Sequence, residues 1–119
     1  MTLESIAKYN LENVNQCELN ENIGFNMDKA SRFIEFQAPD IIYLEGIKTK
    51  ESFDYFSSLV YDNKTIIMEF LANNMEDLRN KMAFSDFETL KSILNCMIFI
   101  HSKNSIEVFD KTTVQKYLA

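Results

Sequence analysis

Glycine and proline are almost missing from this chain: Gly24, Gly46 and Pro39 are all it has in 119 residues. An all-β sandwich or barrel needs many tight turns, and such turns rely on Gly, Pro and Asn for backbone angles that other residues avoid. The scarcity therefore excludes that class and favours long periodic segments. Cysteine is nearly as rare. Cys17 and Cys96 are too few for a disulfide scaffold, and they point to a reducing compartment in which both stay thiols. No apolar run approaches the roughly 18–20 residues that a membrane-crossing helix needs. The opening MTLESIAKYN carries Glu4 where a signal peptide would be basic and then apolar. These absences lead us to expect a cytoplasmic protein.

Motifs of catalysis are equally sparse. Two isolated glycines cannot form a phosphate-binding loop. Cys17, Cys96 and His101 are the only Cys or His side chains, and structural zinc usually takes four at close spacing. Cys96 and His101 stand five residues apart in LNCMIFIHSKN. On a helix, five residues turn the side chains about 140° away from each other, too far for a thiolate–imidazole pair. We expect no catalytic residue, no metal and no cofactor.

What the chain does have is apolar mass and acid. Hydrophobic residues make up 46% of it and aromatics 13%, enough to offset the ordering entropy of one folded domain spanning 1–119. The net charge of -6 is unevenly placed. Residues 1–62 hold eleven acids and five bases, whereas residues 63–119 hold seven of each. With no basic cluster to neutralise phosphates, neither a nucleic-acid nor a membrane partner is expected. The acidic half suits a cationic protein.

Periodicity and capping signals predict an all-α fold, a bundle of five to seven helices. Thr2 opens a first helix to Val14. Asn26 or Asp28 caps a second that ends before Pro39, and Thr49 caps a third carrying Phe53, Phe56, Leu59 and Val60. The segment 39–45 suits a strand or a helical turn, with the helix preferred. Met68, Leu71, Met75, Leu78 and Met82 alternate spacings of three and four, predicting a helix over 64–83 with a heptad seam. Ser85 and Glu88 have capping-box spacing, which starts a helix over about 86–102. That helix is apolar nearly all round and would form the buried centre. Asn104 would then cap a last helix or helix pair.

Tyrosines among acids mark the surface best suited to a partner, since tyrosine anchors interfaces and carboxylates steer a basic surface into register. The candidate residues are Glu18, Glu21, Asp40, Tyr43, Glu45, Glu51, Asp54 and Tyr55. Small size, acidity and missing chemistry together suggest a non-enzymatic binding protein that neutralises a cationic partner by occlusion. An immunity protein or antitoxin against a nuclease toxin fits best, acting as monomer or homodimer. The alternative is a dimeric secretion-type chaperone or adaptor that holds a partner helix in the groove of Met68, Met75 and Met82.

Overall fold

The fold is mixed α/β rather than an all-α bundle. A computed structural model describes residues 1–118, which divide into two compact units, Met1–Leu71 and Ala72–Ala119. The first unit contains β1 (Thr2–Glu4), β2 (Gln16–Glu18), α1 (Met27–Gln37), β3 (Ile41–Leu44), α2 (Lys50–Tyr61) and β4 (Thr65–Met68). Its four strands form a parallel sheet in the order β2-β1-β3-β4.

Alternation along the strands divides this sheet into two unlike faces. Leu3, Ile42 and Leu44 point to one side and are fully buried. Both helices cover that side, bringing Ala30, Ile34, Phe53 and Phe56 to the core. The crossovers explain why. Each carries the chain in the same direction across the sheet, so right-handed connections put α1 and α2 on one face. Two hydrogen bonds hold them side by side: Ser52 Oγ donates to Asp28 Oδ1 at 2.8 Å, and the Tyr55 hydroxyl donates to the Ser31 carbonyl at 3.1 Å.

The connection from β1 to β2 runs the other way and contains no helix. Its residues lie instead on the second face. The Ala7 amide donates to Glu18 Oε2 at 3.0 Å, and Leu11 donates to Gln16 Oε1 at 2.8 Å. This loop lies along β1 and β2, with Ser5 reaching Glu45 just past β3, and the second face of β3 and β4 keeps Ile41 56% and Ile67 50% exposed. Parallel sheets are almost always covered on both faces, which makes a bare one unusual.

The helices predicted from the caps Asn26 and Thr49 stand where expected. Asn26 accepts from the Lys29 amide at 3.0 Å and starts α1, and Thr49 accepts from Ser52 at 3.2 Å and starts α2. The others need correction. Residues 2–14 hold β1 and a loop, not a helix, and 41–44 is a strand. The heptad seam does not exist: Met68 lies on β4, Leu71 is 89% exposed in a loop, and Met75 begins α3 (Met75–Lys81), which Met82 caps. Thr65, Ile66 and Ile67 are β-branched and favour a pleated surface, while Asn74 caps the next helix through the Asp77 amide at 2.9 Å. The continuous groove of the chaperone reading is thereby lost.

The second unit consists of α3, α4 (Phe87–Ile93), β5 (Cys96–Ser102), β6 (Ser105–Asp110) and α5 (Lys111–Leu118). Asp86, not Ser85, caps α4, by accepting from the Glu88 amide at 3.1 Å; Ser85 Oγ donates to the Met82 carbonyl. The supposed central helix 86–102 is thus a two-turn helix followed by a strand. β5 and β6 form an antiparallel ribbon, and Asp110 caps α5 through the Thr113 amide at 2.9 Å. Leu78, Met82, Leu90, Val114 and Leu118 are this unit's buried hydrophobic residues among those described. No described helix is long and apolar enough to cross a membrane.

Strand and helix assignments for β3 predict different mutational patterns. On a helix Ile41 and Leu44 would share a face; on the strand they oppose each other. Leu44→Ala should cost about 2–5 kcal/mol in urea unfolding, as for a filled core site, and Ile41→Ala under about 1 kcal/mol. Equal losses would contradict the strand.

Candidate functional site

Each strand of the parallel sheet ends on, or is followed at once by, a glutamate: Glu4, Glu18, Glu45 and Glu69. The register brings them together. Glu4 pairs with Glu18 directly, and one step beyond Leu3↔Leu44 and Leu44↔Met68 stand Glu45 and Glu69. Across the sheet the order is Glu18, Glu4, Glu45, Glu69, one carboxylate per strand. Neighbouring strands lie about 4.8 Å apart, so the row spans roughly 15 Å. All four share the face that the helices leave bare.

Neutral donors hold these carboxylates. Glu4 Oε1 accepts from Thr2 Oγ1 at 2.5 Å and from Gln16 Nε2 at 3.3 Å. Glu18 accepts from Ala7 as described, and Glu45 Oε2 accepts from the Ser5 amide at 2.6 Å. Glu69 accepts from the Tyr43 hydroxyl. Among the described residues none of the four forms an ion pair. The row is therefore anchored in position by neutral donors. Nor do its members converge as metal ligands: no described group of three or more His, Cys, Asp or Glu could hold an ion.

Tyr43 registers the field of the row. Its hydroxyl is pushed up to about 12, first because it donates to Glu69, then through partial burial and the charges of Glu69, Glu45 and Glu4. Beside it stand the exposed Ile41 and Ile67. At the β2 end, a cleft of about 400 Å³ opens between Ser5, Glu18, Asn20, Glu21, Asn22 and Lys48. The Asn20 side chain shapes its wall by accepting from Asn22, and Gly24 closes that turn at φ 75°, a left-handed position suited to glycine.

The candidate residues from sequence are only partly gathered here. Glu18, Glu21, Tyr43 and Glu45 lie along the carboxyl ends of the strands or on the bare face. Asp40 precedes β3 at the opposite, amino end and lies 4.0 Å from Lys64. Glu51 and Asp54 are exposed on α2, where Asp54 pairs with Lys50 at 2.6 Å. Tyr55 joins the two helices and stacks edge-on with Phe56 at 5.1 Å, a packing role. Sequence reasoning missed Glu4 and Glu69. A signal existed in the recurring strand endings TLE, QCE, YLE and IME, each a short run closed by glutamate.

Cys96 and His101 form no pair, though for a different reason from the one expected. They belong to a strand, where odd spacing sends side chains to opposite faces. Both are exposed rather than core, and His101 Nε2 lies 2.7 Å from Glu107 Oε2.

The charge asymmetry follows the two units: Met1–Leu71 holds twelve acids and six bases, and Ala72–Ala119 holds six of each. No protein-family model and no curated protein sequence matches this chain.

The carboxylate row makes a titration prediction. Since folding raises the ionisation of Tyr43 above the ordinary value of 10, its contribution to stability is complete below pH 10 and is lost as the pH rises through about 12. In Glu69→Gln the hydroxyl should ionise closer to 10, seen in ultraviolet difference titration against Tyr43→Phe. An unmoved titration would show that Glu69 does not hold the hydroxyl.

Proposed function

We propose that this is a binding protein that neutralises a cationic protein by occlusion, in the manner of a cytoplasmic immunity protein or antitoxin directed at a nuclease toxin. The observation that carries this reading is the in-register row Glu18, Glu4, Glu45 and Glu69, with no ion pair among the described residues and set on the sheet face that the helices leave bare. A nuclease holds phosphates with Lys and Arg. Carboxylates about 4.8 Å apart would offer those groups a substitute array, with charge-assisted hydrogen bonds in place of phosphate contacts.

Exposed Ile41 and Ile67, with the Tyr43 ring, supply the apolar contact that a purely ionic surface lacks. The excess negative charge of Met1–Leu71 would draw a basic partner in, giving fast association that slows with added salt. No step in this mechanism is chemical. The protein works by being in the way.

The test is affinity capture from the native lysate, followed by binding kinetics with the captured protein. A basic protein should be retained by the wild type. The Glu18→Lys/Glu45→Lys/Glu69→Lys variant should bind it at least about 100-fold more weakly, whereas Glu51→Lys/Asp54→Lys on α2 should change affinity under about tenfold. Equal binding by the wild type and the triple variant would refute the reading.

A further inference from the structure

The ribbon β5–β6 carries a second uncovered face, and it is of opposite character. Ile98 pairs across the ribbon with Val108, and Ile100 pairs with Ile106. These four residues alternate onto one side and are 60%, 67%, 68% and 58% exposed, respectively. The other side is occupied: α5 lies against the ribbon, and the rings of Phe109 and Tyr117 meet there at 5.0 Å. We infer that the Ile98, Ile100, Ile106 and Val108 face is a homodimer interface, in which two ribbons stack face to face about a twofold axis.

Area, shape and charge favour a second copy as the occupant. The four side chains expose roughly 450 Å² of aliphatic surface, as large as the biggest apolar patch of an ordinary monomer. A twofold stack covers the patch on both copies. With the flanking ribbon residues it reaches about 1,200 Å², the lower bound of a specific interface. The patch is self-complementary, being four branched aliphatics with no charge among them. Its centre lies midway along the ribbon, so an antiparallel twofold brings the Lys103 tip of one ribbon over the Asp110 base of the other, twice. Each of these charges meets its opposite. The unit that holds the ribbon has no net charge to oppose pairing, unlike the acidic unit.

Sedimentation equilibrium of the full chain decides the matter. The wild type should rise from 13.9 kDa toward twice that mass as concentration passes through the micromolar range. Ile98→Lys and Val108→Lys, on separate strands at exposed positions, should each stay at 13.9 kDa with unchanged far-ultraviolet circular dichroism. Lys103→Glu, at the tip and outside the patch, should weaken the dimer several-fold. A wild type that remains at 13.9 kDa to about 100 µM would overturn the inference. So would folded lysine variants that dimerise normally, or open-ended growth past the dimer, which would indicate pairing of strand edges. A monomeric wild type that binds phosphatidylcholine vesicles would assign the face to lipid instead.

Discussion

The pairing of β1 with β3 is the constraint on which the acidic unit depends. The Tyr43 amide donates to the Met1 carbonyl and the Glu45 amide to Leu3, both at 2.9 Å, between residues 42 positions apart in sequence. This register places Leu3 beside Leu44 and so puts both on the buried side. A slip of one residue would send Leu44 to solvent and Glu45 to the core, a cost large enough to fix the alignment. The glutamate row is a consequence of that same alignment. Burying the leucines and aligning the acids are one event.

A one-sided sheet also explains why acids can be aligned here at all. With α1 and α2 on a single face and only a loop crossing the other, the bare side stays in water. There, adjacent carboxylates repel by about 1 kcal/mol or less, rather than by the far larger amounts of a dry interior. A helix between β1 and β2 would have covered the row. The missing helix is thus what makes this face available to a partner. The ribbon in the second unit shows the reverse chemistry, four aliphatics in place of four acids, and suits a like surface rather than a basic one.

Part of this was legible in the sequence. Asn26 and Thr49 announced α1 and α2 because their side chains cap amides three residues on, and the apolar spacing beyond them was helical. The strands were hidden for physical reasons. Those of the parallel sheet are three or four residues long, too short for alternation to show. Glycine scarcity excluded an all-β fold correctly but said nothing against short strands, because Asn13 and Asn63 take left-handed turns at φ 61° and 62° in its place. The spacing of Met68, Leu71, Met75 and Met82 imitated a heptad although a strand, a loop and a helix divide it. CMIFIHS looked apolar on all sides of a helix. Read with period two, the same residues give one aliphatic face and one that packs on α5. Of the site, four of the eight proposed residues lie along the carboxyl ends of the strands or on the bare face. Sequence position alone could not show that Glu4 and Glu69 complete the row, because only the pairing of distant strands brings them there.

The register of β1, β3 and β4 can be measured through the hydrogen bonds themselves. Scalar couplings across hydrogen bonds in isotope-labelled protein should connect the Glu45 amide to the Leu3 carbonyl and the Glu69 amide to the Leu44 carbonyl, the latter 3.0 Å apart in the fold described. Observing both would establish the parallel alignment and with it the row of glutamates. If residues 64–71 instead coupled each amide to the carbonyl four residues earlier, that segment would be a helix, and the account of the acidic face would fail.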